Sequence, residues 1–251
     1  MVIIKTREEI KKMATVNKMV AEVLCVLKER AREGVTTEYL NEIAEEEARK
    51  RNARPAFKGY NGFPKALCTS VNEVVVHGIP SRKKSLHEGD IVSLDFGLVF
   101  DGFYGDAAIT VAIGKISDEK KRLMEVTKSA LYAGIEQARP GNLLLDISRA
   151  IEETVHRGGF SVVRSFTGHG IGRNLHEDPE VPNYVSSPFL LRLPLVVGMT
   201  IAIEPMVNAG AYKVKIKRDG WTAVTVDGKP SAHFEHTIAI TDNGPVILST
   251  C

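Results

Sequence analysis

Four carboxylates and three imidazoles fall in segments with the character of strands and glycine-rich turns: Asp95, Asp106, Glu204 and Glu235, with His77, His169 and His176. Carboxylate and imidazole are the groups that hold divalent cations and move protons near neutral pH. Five of the seven, Asp95, Asp106, His169, Glu204 and Glu235, form an oxygen-rich set with one nitrogen donor and no thiolate. Such a set suits Mn, Fe or Co at least as well as Zn.

The first two carboxylates carry their own geometry. Ile91 to Phe100 is a strand by content, Asp101-Gly102 is a hairpin-turn dipeptide, and Phe103 to Gly114 reads as the returning strand. A two-residue loop sets Phe100 against Phe103 and therefore Asp95 against Ala108, with Asp106 on the same face two positions away. Diagonal neighbours lie ~7 Å apart at Cβ, close enough for both carboxylates to reach ions ~3.5–4 Å from one another. Like charges so placed among Ile, Val, Leu and Phe are costly unless a cation offsets them. Taken singly, each aspartate could instead be a turn former or a solvated strand residue.

Further along, Gly168-His169-Gly170-Ile171-Gly172-Arg173 precedes His176 and packs two histidines among three alternating glycines, whose backbone can approach a bound group closely. The segment lacks the third glycine and the strand-to-helix frame of a dinucleotide loop, so that reading fails. Alternation in Thr200 to Glu204 places Glu204 opposite Ile201 and Ile203. Alternation in His233 to Ile240 places Glu235 opposite Phe234 and Ile238.

The elements that must position these residues repeat. Thr6 and Glu9 form a helix-start signal, followed by Ile10, Met13, Asn17, Val20, Leu24, Leu27 and Ala31 at mostly helical intervals up to Gly34. A second helix is predicted over Thr37 to Arg51. Asp118 to Ala138 and Leu144 to His156 repeat the long and short helices, separated by Pro140-Gly141. A shift of 107 positions lays Leu24, Glu29, Ala31, Arg32, Gly34, Glu45 and Glu46 onto Leu131, Glu136, Ala138, Arg139, Gly141, Glu152 and Glu153. Each half reads helix, turn, helix, strands. The expectation is one domain over 1–251 with an internal repeat, its halves about 1–115 and 116–251.

The 251 residues contain 33 Lys+Arg against 31 Asp+Glu, a net charge of +2 that gives no broad cationic field for nucleic acid or a membrane surface. No secretion signal or bilayer-length apolar run is present, and Cys25, Cys68 and Cys251 are an odd set without metal-finger spacing. A cytoplasmic protein with reduced thiols is expected. Lys213, Lys215 and Lys217 alternate with Val214 and Ile216, a row that most often marks a solvated strand edge and otherwise a docking face for the ribosome.

With these motifs in place, the chain resembles the type I methionine aminopeptidases, the short bacterial form. The resemblance runs from the first helix to His233-Phe234-Glu235-His236-Thr237-Ile238, and its most specific strings are Val71 to Pro80 and Gly168 to Arg173. It implies an α+β pita-bread fold, two pseudo-symmetric halves with a curved antiparallel sheet covered by helices. It also implies two divalent ions (Co, Mn, Fe(II), Zn or Ni) held by Asp95, Asp106, His169, Glu204 and Glu235, with Asp106 and Glu235 bridging. The ions would activate water and polarise the scissile carbonyl. Glu204 is expected as general base, His176 as the group stabilising the oxyanion, and His77 as the residue at the amine side. Phe57, Tyr60, Phe63, Cys68, Leu175 and Trp221 are expected to form an apolar, sulfur-lined pocket for the methionine side chain, although each taken alone is as readily a packing residue.

The implied partners are N-terminal methionine peptides and nascent chains with a small second residue. Transient ribosome contact is the further possibility, with no membrane and no sequence-specific nucleic acid, and the protein is expected as a monomer. Two departures from the family pattern stand out: Asn61, where some members carry His, and a slightly longer Ser186 to Pro194 loop followed by Leu195-Val196-Val197-Gly198. Two rival readings are a non-catalytic protein of this fold, against which all five ligand types are retained, and a proline-specific peptidase, which usually carries an extra N-terminal domain.

Overall fold

Thr6 begins the first helix as its spacing with Glu9 predicts. The Glu9 amide donates to Thr6 Oγ1 at 3.2 Å, and the Thr6 amide donates to Glu9 Oε2 at 2.9 Å. The computed structural model describes residues 1–185 and 192–250; the Ser186 to Leu191 part of the unusual loop, and Cys251, lie outside them. Four helices occur there: α1 (Arg7–Arg30), α2 (Thr37–Lys50), α3 (Asp118–Gln137) and α4 (Leu144–Arg157). Adding 107 to the bounds of α2 gives those of α4, and adding it to the end of α1 gives the end of α3. The sequence repeat is thus a repeat of structure.

The strands are β1 (Arg54–Pro55), β2 (Leu67–Val71), β3 (Val74–Val76), β4 (Ile91–Phe100), β5 (Phe103–Ala112), β6 (Ser161–Val162), β7 (Gly168–Gly170), β8 (Glu177–Val181), β9 (Thr200–Ile203), β10 (Met206–Asn208), β11 (Val214–Ile216), β12 (Ala223–Thr225), β13 (Ser231–His233), β14 (Glu235–Thr241) and β15 (Gly244–Ile247). Nine of them form one sheet in the order β1-β4-β5-β14-β9-β7-β8, with β2 also on β4 and β15 on β14. All its pairings are antiparallel. Two small three-stranded sheets, β13-β10-β6 and β11-β12-β3, flank it.

Helix α1 lies on β4 and β5, and α3 packs with α4. Met13, Val16, Val20, Leu24 and Leu27 form the buried stripe of α1 and join Leu40, Leu94, Phe96 and Phe103 in one apolar core. Leu123, Leu131, Ile147, Ile151, Ile201 and Ile238 belong to a second. Each fully buried side chain of this size contributes roughly 1.5–3 kcal/mol. The two cores follow the two helix pairs and leave the middle of the sheet to the polar residues. Cys68 is a buried free thiol, whereas Cys25 is disulfide-bonded. This corrects the expectation of wholly reduced thiols, because an odd count rules out complete pairing and not a single bridge.

The segment before α1 is tied to the histidine loop. Lys5 Nζ lies 2.5 Å from Glu177 Oε2 with both side chains only 3% exposed, and the Lys5 amide donates to the Gly198 carbonyl at 2.8 Å. Glu177 Oε1 accepts the Asn174 amide at 3.1 Å, which fixes the turn carrying His176. Removing one member of a buried pair leaves the other charge without compensation. Lys5→Met is therefore expected to lower the urea-unfolding free energy by about 3–5 kcal/mol. A loss no larger than the ~1 kcal/mol of a surface pair would contradict this account.

Candidate metal centre and substrate cleft

The hairpin register is the predicted one: Phe100 pairs with Phe103, Asp95 with Ala108, and Gly97 with Asp106. On the other edge of β5, Ala108 pairs with Glu235 of β14. Asp95, Ala108 and Glu235 therefore form a row across three strands on one face, and Asp106 lies on that face two residues away. The methyl group of Ala108 keeps space open between the carboxylates. His169 comes from β7, which pairs with β9 at Ala202, and Glu204 follows β9 directly. Because β9 also pairs with β14, these two residues are carried to the same place.

Carboxylate oxygens of Asp106 and Glu235 and a ring nitrogen of His169 all lie within 4.8 Å of one another. Asp95 and Glu204 line the same cavity, and Glu204 Oε1 is 3.5 Å from His169 Nε2. A span of 4.8 Å suits one ion, and five ligands around two ions ~3.5–4 Å apart must extend further. The imidazole is oriented for ligation. His169 Nδ1 is 2.9 Å from the Gly170 carbonyl, which can only accept, so Nδ1 carries the hydrogen and Nε2 is the bare nitrogen of the neutral ring.

The unmet polar atoms of these residues fit a divalent cation. Asp95 Oδ1, Asp106 Oδ1 and Glu235 Oε1 are buried without a hydrogen-bond partner, a costly condition for a carboxylate unless a cation compensates it. Burial pushes Asp95 up to about 7. Burial first, and neighbouring carboxylates second, push Asp106, Glu204 and Glu235 well above the usual range. Burial lowers His169 to about 3, with a further contribution from His176. This keeps the imidazole neutral, the form that ligates metal.

The six residues expected to form the side-chain pocket, Phe57, Tyr60, Phe63, Cys68, Leu175 and Trp221, line one cavity of about 240 Å³ together with Asn61, His77, His176 and the five metal-type residues. Phe63 meets Trp221 edge to face, with centroids 5.3 Å apart. His77 stands edge to face on Phe166 at 5.3 Å and near Trp221 at 6.2 Å. Its φ of +58° is a backbone conformation that costs energy in a side-chain-bearing residue, and such strain tends to gather at working sites. Burial lowers His77 to about 4. Burial also raises the Cys68 thiol, with the nearby carboxylates adding to the effect, so Cys68 is a wall and not a nucleophile. A second, larger cleft of about 830 Å³ shares His77, Asp95, His169, His176 and Glu204 with the first and continues past Arg164, Phe166 and Tyr184.

Four contributors lie outside the residues predicted for the site. Asn17, on the buried stripe of α1, accepts the Asp106 amide on Oδ1 at 3.2 Å while Thr237 Oγ1 donates to the Asp106 carbonyl at 2.8 Å. Asn183 donates to the Glu204 carbonyl at 3.1 Å. His233 places Nε2 3.7 Å from Glu204 Oε2, with its side chain 2% exposed. Two of them were open to inference: Asn17 is a polar residue at an apolar helix position, and alternation puts His233 on the face of Glu235. Asn183 gives no such signal.

The site and sheet define a metallopeptidase, and the chain belongs to metallopeptidase family M24, whose model matches residues 11–242. The fold is the pita-bread fold. Among relatives, the methionine aminopeptidase of Clostridium acetobutylicum is 52% identical over 252 residues, covering all of both chains. The crystal structure of methionine aminopeptidase from Thermotoga maritima superposes with a TM-score of 0.97 at 48% identity, again over 100% of each chain. The prolidase from Pyrococcus horikoshii shares the fold alone, with a TM-score of 0.80 at 23% identity over 99% of this chain and 63% of its own.

The raised carboxylate range has a consequence for the metal-free protein. The folded-state value of Asp95 lies above its ordinary 3.8, at about 7, so its contribution to stability is complete below pH 3.8 and is lost as pH rises through 7. The melting temperature of the metal-free parent, measured relative to Asp95→Asn, should fall across that window. Saturating Mn²⁺ should remove the fall, since ligation requires the ionised carboxylate. A difference that stays flat from pH 4 to pH 8 in the metal-free proteins would count against the buried-carboxylate account.

Proposed function

We propose that this chain is a dinuclear metal-dependent aminopeptidase that removes the N-terminal methionine from peptides and nascent proteins, preferring a small second residue. The observation that carries this reading is the set of bare, buried carboxylate oxygens beside an apolar, sulfur-lined cavity. The full-length similarity to methionine aminopeptidases supports it. Two divalent ions held by Asp95, Asp106, His169, Glu204 and Glu235, whether Co, Mn, Fe(II), Zn or Ni, would supply Lewis-acid polarisation of the peptide carbonyl and an activated water.

The protein groups have separate tasks. Glu204 keeps 14% of its side chain open to the cleft and takes a proton at its carboxylate as general base. His176 donates to the carbonyl oxygen as charge develops there. His77 holds the amine side of the scissile bond, and its aromatic neighbours exclude water from it. The methionine side chain fills the space between Phe57, Tyr60, Phe63, Cys68, Leu175 and Trp221, where a flexible thioether packs well.

The wider reading is a cytoplasmic monomer of one domain, with halves about 1–115 and 116–251. Among the described residues no helix is long and apolar enough to cross a membrane. A second role, transient docking on the ribosome, is favoured by Lys213, Lys215 and Lys217, all exposed on and beside β11, the terminal strand of its sheet.

Activity on Met-Ala-Ser with added Mn²⁺ or Co²⁺, and none on Ala-Pro peptides, is the expected outcome. Asp106→Ala should reduce turnover at least ~10²-fold, the scale of a lost transition-state contact. Parental activity in that variant would remove the metal reading, and cleavage of Ala-Pro alone would favour a proline-specific peptidase. For docking, Lys213→Glu, Lys215→Glu and Lys217→Glu together should abolish co-sedimentation with ribosomes while peptide turnover is kept. Unchanged co-sedimentation would leave the row as a solvated edge.

A further inference from the structure

Tyr60 does more than wall a pocket. Its phenol oxygen lies 2.7 Å from His176 Nδ1, with the two rings tilted at 57° and their centroids 5.2 Å apart. The turn holding Tyr60 is tight: its amide donates to the Phe57 carbonyl at 2.9 Å, its carbonyl accepts the Phe63 amide at 2.9 Å, and the Gly59 amide donates to the Phe63 carbonyl at 2.8 Å. Gly59 and Asn61 on either side have φ of +86° and +47°, which wraps the backbone around this one side chain. On the far side, His176 packs edge to face on His169, with centroids 4.3 Å apart. Its loop is pinned by the Lys5–Glu177 pair. Among the described residues none is hydrogen-bonded to His176 Nε2, and the residue lines both cavities.

We propose that Tyr60 is a positioning residue that sets the tautomer of His176, holding the hydrogen on Nε2, the atom free to meet substrate. Its consequence for rate rests on the peptidase reading given above; the tautomer itself does not. A phenol O–H is a better donor than a neutral imidazole N–H, and the bare imidazole nitrogen is a better acceptor than a phenol oxygen. The contact therefore runs from Tyr60 O–H to His176 Nδ1. A neutral imidazole has a single N–H, so an accepting Nδ1 places that hydrogen on Nε2. The protonated ring carries hydrogen at both nitrogens and leaves Nε2 a donor as well. His176 is thus pre-set as a donor toward an oxygen in the cleft, which is what a group stabilising a developing oxyanion must be. The opposite tautomer would present a lone pair to that oxygen and repel it.

The test is nitrogen-15 NMR of the full chain labelled at histidine, recorded with Zn²⁺ added as a diamagnetic ion and again after chelation. The His176 signals are assigned by their loss in His176→Gln. The expected result is an acceptor-type Nδ1 and a protonated Nε2 in the parent. In Tyr60→Phe that single tautomer gives way to a mixture. On Met-Ala-Ser, Tyr60→Phe should lower kcat on the order of 10-fold or more with KM nearly unchanged, the scale expected when a working histidine loses its orienting partner. In a His176→Ala background the same change should cost nothing further. A protonated Nδ1 in the parent would overturn the proposal. So would a Tyr60→Phe protein with parental spectra and kcat, since that substitution keeps the ring and would leave a mere pocket wall intact. Because the spectra do not depend on turnover, their outcome stands apart from that of the peptidase reading.

Discussion

Four carboxylates that line one cavity cannot all be ionised and buried without a cation, and much of the structure is arranged around that constraint. Several neighbouring polar groups hold the backbones of these residues: Asn17 accepts the Asp106 amide, Thr237 donates to the Asp106 carbonyl, and Asn183 donates to the Glu204 carbonyl. Carboxylate oxygens of Asp95, Asp106 and Glu235 are left bare. Among the described residues no Lys or Arg forms an ion pair with any of these four carboxylates, so the protein does not neutralise them from within. Rigid backbones with bare oxygens are instead what a metal site needs, because ligand positions must be held before the ion arrives.

The internal repeat explains how those ligands meet. Asp95 and Asp106 come from the hairpin of the first half, and His169, Glu204 and Glu235 from strands of the second. The pairing of β5 with β14 joins the two groups in one sheet. Each helix pair has its own apolar core, drawn mostly but not wholly from its own half. Asn17 is the link between these layers: it sits on the buried stripe of α1, and its side chain reaches over to position an aspartate of β5.

How far the sequence could be read follows the range of the interactions. The hairpin with Asp95 opposite Ala108 was legible because a two-residue turn dictates register locally. The helices were legible from caps and apolar spacing, and the repeat sharpened their ends. Convergence of Glu204, Glu235 and His169 on the aspartates was not legible from pattern, since strand order across a sheet depends on non-local pairing; it came only from resemblance to a family. Alternation places His233 on the face of Glu235 but not beside Glu204, and Asn183 lay beyond both routes, because its part is defined by a contact with Glu204 across a chain separation of roughly 20 residues. The disulfide at Cys25 was missed for a simpler reason: parity of a count says little about any one cysteine.

Exopeptidase geometry is written in the two cavities. The smaller one has aromatic and aliphatic walls, and the larger one continues past Arg164 and Tyr184. Their shared border consists of His77, Asp95, His169, His176 and Glu204. A peptide lying across that border has room on one side for a single side chain and on the other for a continuing chain. Under the proposed reading the scissile bond must lie at the border, with its free amine on the side of the smaller cavity, where about 240 Å³ between apolar walls admits little more than one unbranched residue. Selectivity for the chain terminus then follows from the shape of the cavity, and selectivity for methionine from its apolar and sulfur lining. Under the same reading the histidines at the border act on whatever bond this fit presents to them, so the proposed direction of the Tyr60–His176 hydrogen bond would bear on rate and hardly on binding.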